Sequence, residues 1–87
     1  MPYVKRDRRE FYDYRLNQLI DIMRFKEFHA GDATYVIFRI LLEWWKHAPG
    51  YQTICEIRGM LAGCLSEFDR RQAFPYEDEK IIENGDV

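Results

Sequence analysis

The residues best suited to chemistry in this chain are arginines that stand close to aromatic side chains. Arg39 lies inside the apolar run 34–45, with Tyr35 four residues before it and Glu43 four residues after it. In a helix this spacing places the three side chains on one face. Two interpretations follow. Arg39 either forms an intrahelical ion pair with Glu43 at the edge of the core, or it uses its planar set of donors to bind a carboxylate or phosphate.

A second group of cationic residues lies near the ends of the chain. Arg70 and Arg71 are adjacent, and Glu67 stands three and four residues before them, where it is placed to pair with both. The first residues of the chain add two cations and a tyrosine. The predicted ligand-binding set is therefore Tyr3, Lys5, Arg6, Tyr35, Arg39, Arg70 and Arg71.

The sequence offers little for catalysis or metal binding. It has one serine and two histidines, and it lacks a glycine-rich phosphate loop and a histidine spacing suited to zinc. Cys55 and Cys64 are nine residues apart in a helical stretch, about 13 Å along the axis, so they cannot pair within the chain and are interpreted as buried thiols. We expect no enzyme activity, no catalytic residue, no metal and no cofactor.

Length and charge exclude several classes of protein. The 87 residues suffice for one domain, 1–87, and the formal charge of −2 argues against general nucleic-acid binding. The N-terminus lacks the apolar segment of a secretory signal, and the 12-residue apolar run 34–45 is too short to cross a bilayer. We expect a soluble, cytoplasmic protein without a membrane partner.

The spacing of apolar residues predicts an all-α fold: a small three-helix domain with an irregular N-terminal arm and a short C-terminal helical tail. We expect the arm to cover residues 1–12, with Pro2 keeping the first residue extended. Asp13 is expected to cap the first helix, 13–25, and Asp32 the second helix, 33–47.

The second half of the chain is predicted in the same way. Pro49 and Gly50 end the second helix, and a third helix is expected at 51–73, because Pro75 disfavours helical structure at the residue before it. The tail, 75–87, is expected to form a turn or two of helix with Pro75 at its first position and Asn84-Gly85 as its stop.

The second helix carries more apolar side chains than two neighbouring helices can cover. Trp44 and Trp45 are about 100° apart on a helix, so one of them must face away from a small core. An uncovered apolar patch of this kind marks an interface, which predicts a homo-oligomer, a dimer or higher. The predicted interface residues are Ile40, Leu41, Trp44 and Trp45. Gly59 and Gly63 in the third helix are expected to allow close packing on the second helix.

The two ends of the sequence resemble a known family. MPYVK at 1–5 and PYEDEKIIENGDV at 75–87 resemble the ends of short, uncharacterised proteins found in bacterial and phage genomes. Tyr35 with Arg39, and Glu67 with the arginine pair that follows it, also match that family's pattern. The resemblance implies a phage or prophage context, and it implies no settled activity, cofactor or catalytic residue.

Two functional hypotheses remain open. The first is a non-enzymatic oligomeric binding protein that sequesters a small anionic ligand, such as a nucleotide-like signal of host defence. The alternative is a protein–protein interaction module that uses the tryptophan patch or the acidic tail to inhibit or bridge a host protein. Charge reversal at Arg39 separates them, because only the first needs that guanidinium for binding.

Overall fold

The computed structural model describes residues 3–87 as helices joined by short connections. Helix α1 spans Arg6–Phe25, α2 spans Ala30–His47 and α3 spans Tyr51–Phe68. A π-helical segment, Asp69–Ala73, leads from α3 directly into α4, Phe74–Asn84. No strand occurs among the described residues. The predicted all-α class with three helical segments is therefore confirmed; the expectation about Met1 and Pro2 lies outside the described residues.

The N-terminal arm is shorter than predicted, and residues 6–12 are helical. Lys5, in an extended conformation, is the N-cap of α1, and its carbonyl accepts hydrogen bonds from the backbone N–H groups of Arg8 and Arg9. The Arg9 side chain also donates from Nε to the carbonyl of Val4 over 2.9 Å. The prediction of Asp13 as N-cap is wrong because the charged residues before it are themselves good helix formers and no proline or glycine separates them.

Helix α2 begins three residues earlier than predicted. His29 is the N-cap, and Asp32 lies at the third helical position, from which its Oδ2 accepts a hydrogen bond from the backbone N–H of His29 over 2.8 Å. Asp32 therefore caps the helix from within the first turn, as in a capping box, and not from the position before it. This arrangement brings Ala30 and Gly31 into the helix.

Pro75 does not end the third helical segment as predicted. Phe74 keeps a right-handed helical conformation, and its N–H bonds to the carbonyl of Asp69, five residues back. A proline in a regular α-helix clashes with the carbonyl four residues earlier, and one wider turn relieves that clash. The predicted 51–73 helix is thus α3 plus the π segment, and the chain continues as α4.

The expected stop of the tail is confirmed. Gly85 has φ of 85°, the left-handed region that glycine adopts without strain, and its N–H bonds to the carbonyl of Ile81 over 2.8 Å. Pro75 lies in the first turn of α4, where its missing N–H is tolerated. The tail forms an 11-residue helix, longer than the turn or two expected.

The described chain divides into two units, Tyr3–Thr53 and Ile54–Val87, and each is described by itself. No described hydrophobic side chain is fully buried, and Thr53, with 5% of its surface exposed, is the one buried residue among residues 3–87. Cys55 and Cys64 are exposed, so their interpretation as buried thiols is wrong. A Cβ built on Gly59 or Gly63 would meet no atom within 4 Å, and the packing of these glycines on the second helix stays a prediction.

Candidate functional site

Tyr35 and Arg39 are in contact on one face of α2. The guanidinium of Arg39 donates from Nη1 to the Tyr35 hydroxyl oxygen over 2.9 Å, and its central carbon lies 5.8 Å from the centre of the tyrosine ring. Helical side chains lean toward the N-terminus of their helix, which directs Arg39 back onto the residue four positions earlier. The two side chains form a polar pair, the Tyr35–Arg39 pair, on an otherwise apolar helix.

The interpretation of Arg39 as the partner of Glu43 is wrong. Glu43 instead accepts from Lys46 Nζ over 3.5 Å, and both side chains are exposed. None of the carboxylates in residues 3–87 forms an ion pair with Arg39. Since a guanidinium has five N–H donors and the tyrosine hydroxyl accepts one hydrogen bond here, Arg39 retains donors for an anion.

The second cationic cluster contains Glu67, Arg70 and Arg71, as expected from their spacing. Arg70 binds the carboxylate with two donors, Nε to Oε1 at 3.0 Å and Nη2 to Oε2 at 2.9 Å, and Arg71 Nε donates to Oε2 at 2.8 Å. The Glu67 side chain is 26% exposed. Glu67 lies in the last turn of α3 and both arginines lie in the π segment, so the junction between them positions two cations on one carboxylate. The cluster carries a formal charge of +1.

The remaining predicted ligand residues occupy the start of the chain. Tyr3 is exposed, Lys5 caps α1 and Arg6 is the first residue of that helix. Tyr3, Lys5 and Arg6 belong to the unit Tyr3–Thr53 together with Tyr35 and Arg39, whereas Arg70 and Arg71 belong to the unit Ile54–Val87. Within the predicted set, Tyr35 and Arg39 contact each other, and Arg70 and Arg71 share the carboxylate of Glu67.

The predicted interface residues are unevenly exposed. Ile40 and Trp45 are exposed, while Leu41 and Trp44 are half-buried. Trp45 also belongs to an apolar row on α2 that was not predicted from the sequence and that it forms with Tyr35, Phe38 and Leu42, all of them exposed. Their spacing of three, four and three residues is the signal that identifies them, since it repeats on one helix face.

An open groove lies within the unit Tyr3–Thr53, where α1 ends and α2 begins. It has a volume of about 280 Å³ and is lined by Leu19, Met23, Phe28, Ala33, Val36 and Ile37. A second opening of about 320 Å³ shares part of this lining and adds Asp32 and Tyr35, among other residues. The groove itself offers apolar contact and no titratable group, so it resembles a binding surface more than a reaction centre.

No three histidine, cysteine or acidic side chains among residues 3–87 come close enough together to hold a metal ion. In the same residues, none of the helices has the length and apolar content required to cross a membrane.

The comparison with protein families gives a full-length match. Residues 1–87 fit the model of a family described as a domain of unknown function (DUF6899). This chain belongs to the DUF6899 family. The match agrees with the resemblance to short uncharacterised proteins noted from the sequence. No curated protein and no solved structure matches this DUF6899 chain.

Proposed function

We propose that this DUF6899 protein is a non-enzymatic binding protein that self-associates and holds a small phosphate-bearing ligand at the Tyr35–Arg39 pair. One observation carries the proposal. The guanidinium of Arg39 rests on a neutral hydroxyl at 2.9 Å, and the carboxylate one turn along the helix is engaged by Lys46 instead. The cation is oriented without being neutralised.

The chemistry of the pair suits an anion. The hydroxyl of Tyr35 accepts from Arg39 and keeps its own proton to donate, so both side chains present donors toward the same region. Guanidinium groups bind phosphate oxygens through two parallel hydrogen bonds, and a charge-assisted bond of this kind is about twice as strong as a neutral one. Exposed apolar side chains of α2, including Phe38 and Leu42, lie close to the pair on the helix.

The aromatic surroundings favour a nucleotide over a bare phosphate. The Tyr35 ring and the nearby apolar groove could accept the base or sugar of such a ligand while Arg39 binds its phosphate. The resemblance to phage proteins supports the same proposal, because a small phage protein that sequesters a nucleotide signal would need a binding site and no catalytic group. The ligand of the proposed site is therefore a nucleotide-like anion.

Native mass spectrometry of protein purified from cells tests this function. The wild type should retain a small mass that contains phosphate, and denaturation should release it. Arg39→Glu should abolish retention, together with binding of added AMP, ATP and cyclic AMP in calorimetric titrations. Arg15→Glu is a matched control, since Arg15 also lies over a tyrosine ring, that of Tyr14, at 5.9 Å. A wild type that retains nothing and binds none of these nucleotides would exclude the proposed function.

A second candidate function rests on α4. Its described surface combines exposed Ile81 and Ile82 with a run of acidic residues, and Lys80 binds Glu83 over 3.0 Å along the helix. An ordered acidic helix with an apolar strip suits docking to a basic groove on another protein. In this case Ile82→Asp should eliminate binding of a host protein, and Arg39→Glu should leave that binding unchanged.

A further inference from the structure

The exposed row on α2 has a symmetric spacing. Tyr35 is 61% exposed, Phe38 57%, and Leu42 and Trp45 39% each. The intervals of three, four and three residues read the same from either end, with their midpoint at position 40. We call these four side chains the α2 seam. A two-fold interface requires such a self-complementary surface.

The α2 seam occupies one side of the helix. At 100° per residue, its four side chains span about 80° of the helix circumference. The half-buried side chains Ala33, Val36 and Trp44 lie about 170° away on average, with the exposed Ile40 among them, and the half-buried Leu41 lies at the edge of the seam, about 40° from Trp45. The seam thus exposes three aromatic rings on one side of α2.

The geometry points to a second copy of this chain as the occupant of the α2 seam, an inference that rests on the function proposed above. The two α2 helices pair antiparallel across a two-fold axis. The two Arg39 side chains then form one phosphate site at that axis. The axis then crosses α2 at the height of position 40, whose own side chain lies on the opposite side of the helix from the seam. Tyr35 faces the second copy's Trp45, and Phe38 faces the second copy's Leu42.

Charges beside the α2 seam fit the antiparallel direction. Asp32, Arg39 and Lys46 are seven residues apart and follow one flank of the seam. In an antiparallel pair, equivalent flanks run past each other in reverse order, so Asp32 of each copy meets Lys46 of the other. A two-fold parallel pair would instead place equivalent flanks on opposite sides of the seam, where Asp32 and Lys46 could not meet. The sequence order of the charges therefore selects the antiparallel arrangement.

Arg39 occupies the middle of that flank and so meets its counterpart at the axis. Two guanidinium groups at close range repel each other, and a dianion between them reverses the sign of the interaction. Each would remain oriented by its own Tyr35 hydroxyl. The site is incomplete in one chain, which supplies one guanidinium and one phenol, and is completed by the second chain.

The area of the α2 seam makes this pairing dependent on the anion. Aromatic side chains bury about 150–250 Å² each, so the exposed parts of the seam amount to roughly 400 Å² per chain. A stable interface of standard size takes about 800 Å² per partner. The seam alone is therefore a weak interface that the flanking residues must extend. An anion that bridges the two Arg39 side chains raises the association constant of the two chains. By thermodynamic linkage, association of the chains raises the affinity for the anion by the same factor.

Sedimentation equilibrium with inorganic phosphate as the probe tests the inference, against sodium chloride at equal ionic strength. Phosphate should tighten association of the wild type by roughly 5- to 150-fold, the usual range of coupling between two sites. Arg39→Gln should associate more tightly than the wild type in chloride, because the repulsion at the axis is gone, and should not respond to phosphate. Calorimetry should give one phosphate per two chains.

A charge exchange between Asp32 and Lys46 tests the antiparallel direction. Lys46→Glu should weaken association by placing two acids together, and adding Asp32→Lys to that variant should restore it. Within one chain these residues are about 21 Å apart along α2, so a rescue must arise between copies. Circular dichroism confirms that each variant is helical at the temperature used. Failure of the double variant to recover association would overturn the antiparallel pairing.

The remaining outcomes separate this inference from the proposed function. Phosphate that binds one ion per chain, with no effect on association, overturns the shared site and leaves a ligand site within each chain. No binding of phosphate or nucleotide by any form of the protein overturns both.

Discussion

Thr53, the one buried residue in the described chain, donates its hydroxyl proton to the backbone carbonyl of Ala48. Ala48 is the residue that follows α2, and Thr53 lies in the first turn of α3. This hydrogen bond closes the connection that contains Pro49 and Gly50. It joins the end of one helix to the start of the next within the unit Tyr3–Thr53.

Replacing Thr53 with valine should therefore destabilise the protein measurably. The substitution removes the donor and leaves the Ala48 carbonyl without this partner in a partly buried site, a loss of about 1–3 kcal/mol in the free energy of unfolding. Thr34→Val is the matched control, because the Thr34 hydroxyl also donates to a backbone carbonyl, that of Ala30, over 3.0 Å, but in an exposed position. Its cost should stay within about 0.5 kcal/mol. Urea denaturation of both variants, followed by circular dichroism, measures the difference; equal losses would mean that burial of Thr53 has no energetic consequence.

Gly59→Ala should stabilise α3. A Cβ at this position meets nothing within 4 Å, and alanine in a helix interior is favoured over glycine by about 0.5–1 kcal/mol. The converse change at the neighbouring exposed position, Ala62→Gly, should lower stability by a similar amount. Thermal unfolding by circular dichroism provides the measurement. A lower melting temperature for Gly59→Ala would indicate that another chain packs against this glycine in solution.

Glu67→Gln should weaken the junction between α3 and the π segment. Glu67 accepts hydrogen bonds from two arginines and is only 26% exposed, so loss of its charge should cost about 1 kcal/mol, the upper end for surface ion pairs. Glu43→Gln, which affects one exposed contact with Lys46, should cost less than about 0.5 kcal/mol. The difference between the variants should shrink in 1 M sodium chloride, where charges are screened. A cost for Glu67→Gln that is independent of salt would contradict the electrostatic explanation.

Local signals in the sequence were enough for part of this structure. The all-α class follows from apolar spacing, and α2 ends at His47 and α3 begins at Tyr51 because Pro49 and Gly50 constrain the few residues between them. The end of α4 at Gly85 also follows from the local sequence, since glycine adopts a positive φ, here 85°, without strain. The pairing of Glu67 with both arginines likewise depends on spacing alone.

The predictions of the helix caps, of the helix end at Pro75 and of the partner of Arg39 were wrong, because at each place more than one local arrangement was available. Asp13 and Asp32 are both plausible caps by type, and the sequence does not reveal that Lys5 and His29 occupy those positions instead. Pro75 usually ends a helix, yet one π turn accommodates it. Arg39 had an acceptor on each side along the helix, and the direction in which helical side chains lean selects Tyr35.

Exposure depends on what covers a surface, and no local pattern shows it. Cys55 and Cys64 were expected inside a core, but none of the hydrophobic residues among 3–87 is fully buried in this single chain. The sequence pattern places Tyr35 in the ligand-binding set and Trp45 in the interface set. Their exposure groups both residues with Phe38 and Leu42 in the α2 seam.

Self-association is the central claim that these exposures support. Contiguous exposed apolar surface of this kind is uncommon on monomeric proteins, and its burial stabilises by about 25 cal/mol per Å². The claim requires that a second copy covers what the chain itself leaves open, including Phe38 and Trp45 on α2.

The mass of the protein in solution tests that claim most directly. Sedimentation equilibrium of the wild type over micromolar concentrations should give a multiple of the 10.6 kDa chain mass, with the proportion of the larger species increasing with concentration. Phosphate should raise the proportion of the larger species at each concentration. A single species of 10.6 kDa that is unchanged as concentration rises, with and without phosphate, would contradict the account.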